Sequence, residues 1–176
     1  DSEVSFSVAA KYGNYVNLYV SRSDIPDIND IDGDGDLDVL TFGVIGSRVE
    51  YHKNLSVEEG YGCDSLYYEL KNECWGHFME TGFGTNTAVL FDTCSVVISD
   101  PQKGSAVLKH AGSTLLSLDL NNDGVKDLVL GDVSFNNLVA LTNDNLGVNM
   151  NTSFLSQDTA FPSNTLFSIS EKRVSF

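Results

Sequence analysis

Positively charged residues are scarce in this chain, with ten Lys and Arg against 25 Asp and Glu and a formal net charge of −15. Nucleic-acid binding depends on Lys and Arg contacts to phosphate, so this balance argues against a nucleic-acid partner and against adsorption to anionic lipid. Hydrophobic residues still make up 41% of the 176 residues. The composition therefore predicts one folded domain with a sizeable core, and not a disordered acidic tail.

Long apolar runs and helical patterns are lacking as well. No apolar stretch approaches the roughly 20 residues that a membrane-spanning helix requires, so we expect no membrane insertion. The chain begins with Asp, without an initiator Met or a basic stretch followed by an apolar one. We therefore expect a mature or excised piece of a longer protein. Helical periodicity with capping residues is weak throughout, which favours an all-β fold.

Two acidic loops share one pattern. Residues 30–38 read Asp-Ile-Asp-Gly-Asp-Gly-Asp-Leu-Asp, and 89 positions later residues 119–127 read Asp-Leu-Asn-Asn-Asp-Gly-Val-Lys-Asp. Calcium takes about six to eight oxygen ligands, which a short loop can present at alternate positions around a glycine that permits a sharp turn. Both loops have glycine at position 6 and oxygen-bearing side chains at positions 1, 3, 5 and 9. These candidate ligands are Asp30, Asp32, Asp34 and Asp38 in the first loop and Asp119, Asn121, Asp123 and Asp127 in the second.

The flanking residues indicate which kind of calcium site this is. A helix–loop–helix site needs Glu at position 12, where this chain has Thr41 and Leu130. Short apolar runs follow both loops, and residues 113–120 before the second loop also read as a strand. A metal-free acidic turn is the alternative interpretation. Against it, residues 24–38 carry seven Asp and no Lys or Arg, a density of like charge that a divalent cation would relieve.

The 89-residue offset predicts repeated units of three or four short strands, which is typical of propeller blades. We expect a partial β-propeller of about three blades, built from calcium-binding strand–loop–strand repeats. Its predicted divisions are a first blade at 1–54, a cysteine-containing inserted hairpin at 55–104, a second blade at 105–160 and the start of a further repeat at 161–176.

Three cysteines, Cys63, Cys74 and Cys94, lack the spacing of zinc ligands. Together with the calcium-type loops, they suggest an oxidising, extracellular setting. Residues 75–78 and 87–91 can form a hairpin, so we favour a Cys74–Cys94 disulfide, with Cys63 free or bonded outside this chain. Three reduced, buried cysteines are the alternative.

The loop-plus-strand units resemble FG-GAP/VCBS repeats, the family whose best-known relatives form the integrin α-subunit propeller. Longer strings resemble large secreted VCBS-repeat proteins of Bacteroidetes bacteria; they lie at residues 23–28, 49–54, 73–76, 110–114 and 130–138. The resemblance implies two Ca²⁺ sites that also use the backbone carbonyls of Asp36 and Val125, at loop position 7. It further implies a cell-surface or secreted protein exported by the type IX secretion machinery.

No motif indicates catalysis. The chain has neither a Gly-x-Ser-x-Gly elbow nor a His-Glu-x-x-His run. His52 is expected to face solvent, His77 to be packed or on the surface, and His110 to open a strand, all without a catalytic role. We therefore expect a non-enzymatic protein that acts in adhesion, in binding a surface glycan or protein ligand, or as a scaffold. The alternatives are the propeller portion of an exported polysaccharide-degrading enzyme and a soluble partner of the secretion or gliding machinery.

Overall fold

The computed structural model describes residues 7–9, 15–44, 46–61, 66–80, 86–91, 112–143 and 152–162. Within these ranges the structure contains strands and no helix, which confirms the predicted all-β class. The strands are β1 (Ser7–Ala9), β2 (Tyr15–Asn17), β3 (Asp27–Asn29), β4 (Asp38–Phe42), β5 (Val49–Asn54), β6 (Tyr68–Asn72), β7 (Phe78–Glu80), β8 (Ala88–Leu90), β9 (Ser113–Leu118), β10 (Asp127–Asp132), β11 (Leu138–Asn143) and β12 (Phe154–Phe161).

These strands form three sheets. The largest has the order β2-β1-β6-β5-β4-β3, the second β12-β11-β10-β9, and the third is the hairpin β7-β8. Neighbouring strands are antiparallel, except that β1 pairs with β6 in parallel.

The two acidic loops connect equivalent strands in the two larger sheets. We call β3–β6 with residues 30–38 (loop 1) the first unit, and β9–β12 with residues 119–127 (loop 2) the second unit. Each unit is a four-stranded antiparallel meander. β5 (Val49–Asn54) and β11 (Leu138–Asn143) are offset by 89 residues at both ends, so the repeat seen in the sequence extends beyond the loops to the strands around them.

The segment between the units contributes the hairpin predicted there. β7 pairs with β8, with Phe78 opposite Leu90. The Gln157 side chain attaches the hairpin to β12, since it accepts from the Ala88 N–H at 3.0 Å and donates to the Ala88 carbonyl at 2.9 Å. β6 also lies within residues 55–104, where an inserted hairpin was predicted, but it pairs with β5 as the last strand of the first unit.

One hydrophobic core joins both units and the hairpin, and a smaller cluster contains Val39 and Tyr68. The members of the larger core, all at least nine-tenths buried, are Ile31, Leu40, Phe42, Val49, Tyr51, Trp75, Phe78, Ala88, Leu115, Leu128, Leu130, Val139, Leu141 and Phe154. The Phe154 ring contacts those of Trp75 and Phe78 edge-on, with centroids 5.3 and 5.7 Å apart. Gly76 permits this packing, because a Cβ there would come within 2.3 Å of the Phe154 ring.

The two units bury opposite faces in this core. Successive residues of a strand point to opposite sides of the sheet. β4 directs Leu40 and Phe42 into the core, whereas β10 directs Leu128 and Leu130 there. The residues of β4 that lie 89 positions before this second pair are Val39 and Thr41, which point away from the core. The face that the first unit directs into the core is therefore not the equivalent of the face that the second unit directs there.

The first strands of the units show the same inversion. Asp27 is 6% exposed, but its equivalent Leu116 is 52% exposed. Conversely, Ile28 is 59% exposed and its equivalent Ser117 only 1%. Hence neither unit repeats the inside–outside pattern of the other, although their strands overlap at the 89-residue offset.

A short parallel contact joins the two units edge to edge. The Ile25 N–H donates to the Ser113 carbonyl at 2.9 Å, and the Ile25 carbonyl accepts from the Leu115 N–H at 3.1 Å. This bridge pairs Ile25 with Thr114, its own equivalent 89 residues later. Farther along, Asp27 accepts from the Ser117 N–H at 3.0 Å. The first strands of the two units, β3 and β9, thus lie side by side and run in the same direction, with equivalent residues close to one another.

Candidate metal centres

One buried aspartate at the end of each loop ties it to the neighbouring strand. In loop 1, the Asp38 carboxylate accepts from the backbone N–H groups of Ile31 (3.0 Å) and Asn54 (2.8 Å). In loop 2, the Asp127 carboxylate accepts from those of Leu120 (2.9 Å) and Asn143 (2.8 Å). These residues match at the 89-residue offset, so position 9 performs the same structural task twice.

Position 1 closes each loop from the other end. The Asp30 carboxylate accepts from the Gly35 N–H at 3.2 Å, and the Asp119 carboxylate accepts from the Gly124 N–H at 2.9 Å. The two glycines have φ of +100° and +88°. A Cβ at either glycine would meet no atom within 4 Å. Glycine is therefore favoured at position 6 by its backbone conformation and not by lack of space.

The acidic side chains of loop 1 converge. Asp30, Asp32 and Asp38 can each present one carboxylate oxygen so that all three oxygens lie within 4.8 Å of one another, and Asp32, Asp34 and Glu58 form a second such group. The first group joins positions 1, 3 and 9, as the spacing predicts. Glu58 lies 20 residues beyond the loop and was not foreseen from the sequence.

Loop 2 is more exposed and less acidic. Its Asp119, Asn121 and Asp123 are all exposed, whereas Asp127 is fully buried. The Asn121 amide donates to Asp123 Oδ2 at 2.8 Å. Among the residues that the structure describes, no three acidic side chains of this loop meet as those of loop 1 do, since position 3 carries an amide.

Lys53 is the second residue that the sequence patterns missed. Its side chain is buried, and its ammonium group pairs with Asp32, with Asp34 at 2.8 Å and with Glu58. Burial opposes the charge, but hydrogen bonds to the three carboxylates prevail and raise the pKa of Lys53. Burial likewise opposes the charge of Asp34, yet Lys53 holds the pKa of that carboxyl below its ordinary value.

The buried aspartates at position 9 have the opposite perturbation. Burial raises the pKa of Asp38 to about 7, despite hydrogen bonds from the Asn54 and Ile31 backbone. Burial also raises the pKa of Asp127. Burial therefore disfavours the ionised form of both carboxyl groups, and a nearby cation would favour that form.

The oxygen ligands that loop 1 offers suit a hard cation. All its candidate side-chain ligands are carboxylates, the ligands that calcium prefers. Asp36 Oδ1 is buried and has no hydrogen-bond partner among the described residues, while Asp36 Oδ2 accepts from the Val57 N–H at 3.1 Å. A buried carboxylate oxygen without a partner is costly, so the loop retains capacity for a further cation. Loop 2 offers three carboxylates, one amide oxygen and the Val125 carbonyl.

The remaining predictions concern residues outside the loops. Cys74 is disulfide-bonded, which rules out three reduced cysteines; Cys63 and Cys94 lie outside the described residues. The expectation that His52 faces solvent is wrong, since His52 is 4% exposed and its Nδ1 atom is buried, with no hydrogen-bond partner among the described residues. Its cross-strand neighbour is Val39, on the side of the first unit that is directed away from the shared core.

His77 lies at a contact between the hairpin and the second unit. His77 Nδ1 lies 2.7 Å from Ser153 Oγ, where the hairpin meets β12. His110 lies outside the described residues, and so does the further repeat predicted from 161, apart from Phe161, which ends β12, and Pro162. None of the described segments forms a helix of the length and apolarity needed to cross a bilayer.

Comparison of the chain with protein-family models, with curated proteins and with solved structures finds no match.

Proposed function

We propose that the chain is a non-catalytic, calcium-stabilised segment of a β-propeller, in which the metal holds repeated blades in shape. The observation that carries this proposal is that the two loops share the backbone hydrogen bonds that anchor them at both ends. In both loops position 9 accepts from two equivalent backbone N–H groups, and position 1 accepts from the N–H of the position-6 glycine. In loop 1 the side chains at positions 3 and 5, Asp32 and Asp34, belong to one group of converging carboxylates. Two such loops in one register favour a shared ligand over two unrelated acidic turns.

The packing of the units supports the propeller part of the proposal. Blades of a propeller are four-stranded antiparallel sheets arranged around an axis. In such a ring each blade presents one face to the blade before it and the opposite face to the blade after it. The two units here bury opposite faces in one core, to which Leu40 of β4 and Leu128 of β10 both belong, as this arrangement would require. A two-fold sandwich would instead bury equivalent faces.

The setting of the protein follows from the resemblance and from chemistry. A disulfide at Cys74 and loops of a type that works at high calcium concentration both suit the outside of the cell. We therefore place this protein at the cell surface or in the medium, as a scaffold for adhesion or for binding a glycan or protein ligand. Export by type IX secretion is carried over from the family alone.

The test is thermal unfolding with calcium and with excess chelator. An ion that binds only the folded state stabilises by about 2.7 kcal/mol at a hundredfold excess over its Kd, so calcium should raise the Tm clearly. The matched control is the double variant Asp34→Ala, Asp123→Ala, whose Tm should no longer respond to calcium. Equal melting curves for the wild-type protein in calcium and in chelator would refute the metal assignment.

The ligand-binding part needs its own experiment. A glycan-array and cell-surface binding screen with the intact protein should give saturable binding in calcium that decreases in chelator. Binding of equal strength by the double loop variant would separate ligand recognition from the metal.

A further inference from the structure

The two loops differ most in one residue of the strand beside them. Lys53 lies in β5, directly before Asn54, whose N–H donates to Asp38. The equivalent residue in β11 is Thr142, directly before Asn143, whose N–H donates to Asp127. The backbone environment is thus repeated, whereas the charge is not. Of these two strands, only β5 brings a cation to its loop at this point.

The Lys53 ammonium group takes a cation's place in loop 1. It pairs with Asp32 and Asp34, which are the side chains at positions 3 and 5 of the metal-binding pattern. Glu58 provides a third carboxylate, and the side chain of Lys53 is only 9% exposed. This is therefore not a mobile surface lysine: its aliphatic stem is packed and its charged end is held by three partners.

Lysine at this place offsets an excess of acid. Loop 1 contains five Asp, while loop 2 contains three Asp and one Lys. Burial raises the pKa of Asp27, across the junction between the units, and the charge of that lysine, Lys126, opposes the rise. By carboxylate count alone, loop 1 would bind a divalent cation more tightly than loop 2. With Lys53 in place, an entering ion meets a positive charge at hydrogen-bonding distance from two of its ligands.

We propose that Lys53 is the residue that ranks the two loops, by occupying loop 1 as a built-in counter-ion so that calcium fills loop 2 first. Calcium enters loop 1 only when the Lys53 side chain leaves Asp32 and Asp34. This inference rests on the proposed calcium function, and it adds an order of filling that the two loop sequences by themselves would reverse.

The experiment is calorimetric titration of calcium into chelator-treated protein, with each loop isolated in turn. Asp123→Ala leaves loop 1 to be measured, and Asp34→Ala leaves loop 2. Loop 1 should bind more weakly than loop 2. Lys53→Thr, added to Asp123→Ala, should tighten calcium binding by at least about tenfold, because removing a close positive charge of this kind is worth one or more factors of ten.

The reciprocal exchange and a charge control complete the design. Thr142→Lys, in the Asp34→Ala background, should weaken loop 2. Lys71→Thr removes an equal charge from an exposed pair with Glu69 and should leave both affinities within about twofold. Lys53→Met retains the length of the side chain; together with a circular dichroism spectrum, it guards against a folding defect in Lys53→Thr.

The outcomes separate the two proposals. Calcium binding with unchanged affinity in folded Lys53→Thr and Lys53→Met proteins, or a loop 1 that already binds as tightly as loop 2, would overturn the role of Lys53 and leave the calcium function standing. The absence of calcium binding in every variant, wild type included, would reject the calcium function and this inference with it.

Discussion

Loop 1 and loop 2 have the same hydrogen-bonded frame and different ways of balancing charge. In both, positions 1 and 9 accept the backbone bonds that shape the turn. Loop 1 adds two further Asp, a neighbouring Glu58 and a buried Lys53, whereas loop 2 has an amide at position 3 and exposed carboxylates. Three aspartates are common to both loops, at positions 1, 5 and 9, and each accepts equivalent backbone hydrogen bonds in the two. The charge at the remaining positions differs between the loops without changing these bonds.

The most severe test of the shared frame is removal of its anchors. Asp38→Ala removes the acceptor of three hydrogen bonds, those from the N–H groups of Ile31 and Asn54 and from the Tyr51 hydroxyl. Asp127→Ala removes the acceptor of two. Because the loss of a buried acceptor costs about 1 to 3 kcal/mol for each hydrogen bond it received, we expect losses of about 4 and about 2 kcal/mol in urea unfolding. A larger loss for Asp127→Ala would contradict the idea that loop 1 is the more strongly anchored.

The next test concerns the faces of the second unit. Leu115 is buried in the shared core and its neighbour Leu116 is half exposed on the other face. Leu115→Ala should cost about 2 to 3 kcal/mol, as buried leucines do, and Leu116→Ala less than about 1 kcal/mol. Measured by urea unfolding, equal losses would show that both faces of this strand are packed, and the inverted burial of the two units would be wrong.

The glycines at position 6 test whether the two turns are alike in energy. Ala at Gly35 or Gly124 would meet no neighbouring atom but would have to adopt positive φ. Each substitution should therefore lower the free energy of unfolding by about 1 to 2 kcal/mol. Measured in the presence of chelator, the loss should be the same for both loops. Unequal losses would show that the backbone equivalence of the loops does not extend to their strain.

The smallest expected effect lies at the junction of the units and depends on pH. Burial raises the pKa of Asp27, although Ser117 donates to its carboxylate. The folded state thus holds the Asp27 proton more tightly than the unfolded state. The contribution of Asp27 to stability therefore decreases as pH rises from its ordinary pKa of about 4 through the raised value. Asn does not titrate and keeps an acceptor for Ser117.

The measurement is the difference in unfolding free energy between Asp27→Asn and wild type at pH 4 and pH 7, in chelator. It should shift in favour of Asp27→Asn at the higher pH. Leu116→Asn, at the equivalent position of the second unit, is the control and should show no such dependence. A difference that is independent of pH would mean that the Asp27 carboxylate does not experience the burial described.

Much of the fold was accessible from the sequence because its signals are local. The loop pattern, the apolar residues after it and the hairpin at residues 75–91 each depend on neighbours in the chain. The 89-residue offset then related β5 to β11 without any structure. The full burial of Asp38 and Asp127 was not predicted: position 9 is the first residue of β4 and of β10, two strands that are buried throughout.

Other features depend on which sheet packs where, and no local pattern reports this. β4 and β10 are buried throughout, so their sequences do not indicate which face meets the shared core. For the same reason, the prediction that His52 faces solvent was wrong. Lys53 was overlooked because it lies 15 residues after loop 1 and reaches it only through the pairing of β5 with β4, beside an irregularity between Tyr51 and His52. The Lys-for-Thr difference at the 89-residue offset was the available signal.

The packing of opposite faces has a consequence for how such a protein can grow. An interface between equivalent faces is used up once two copies have met. An interface between unlike faces leaves one of each kind at the ends, so a tandem duplication in the gene yields a new copy that already has a surface to pack against. Lengthening then requires no new interface, and each copy is free to diverge in its loops, as loops 1 and 2 have done around Lys53 and Thr142.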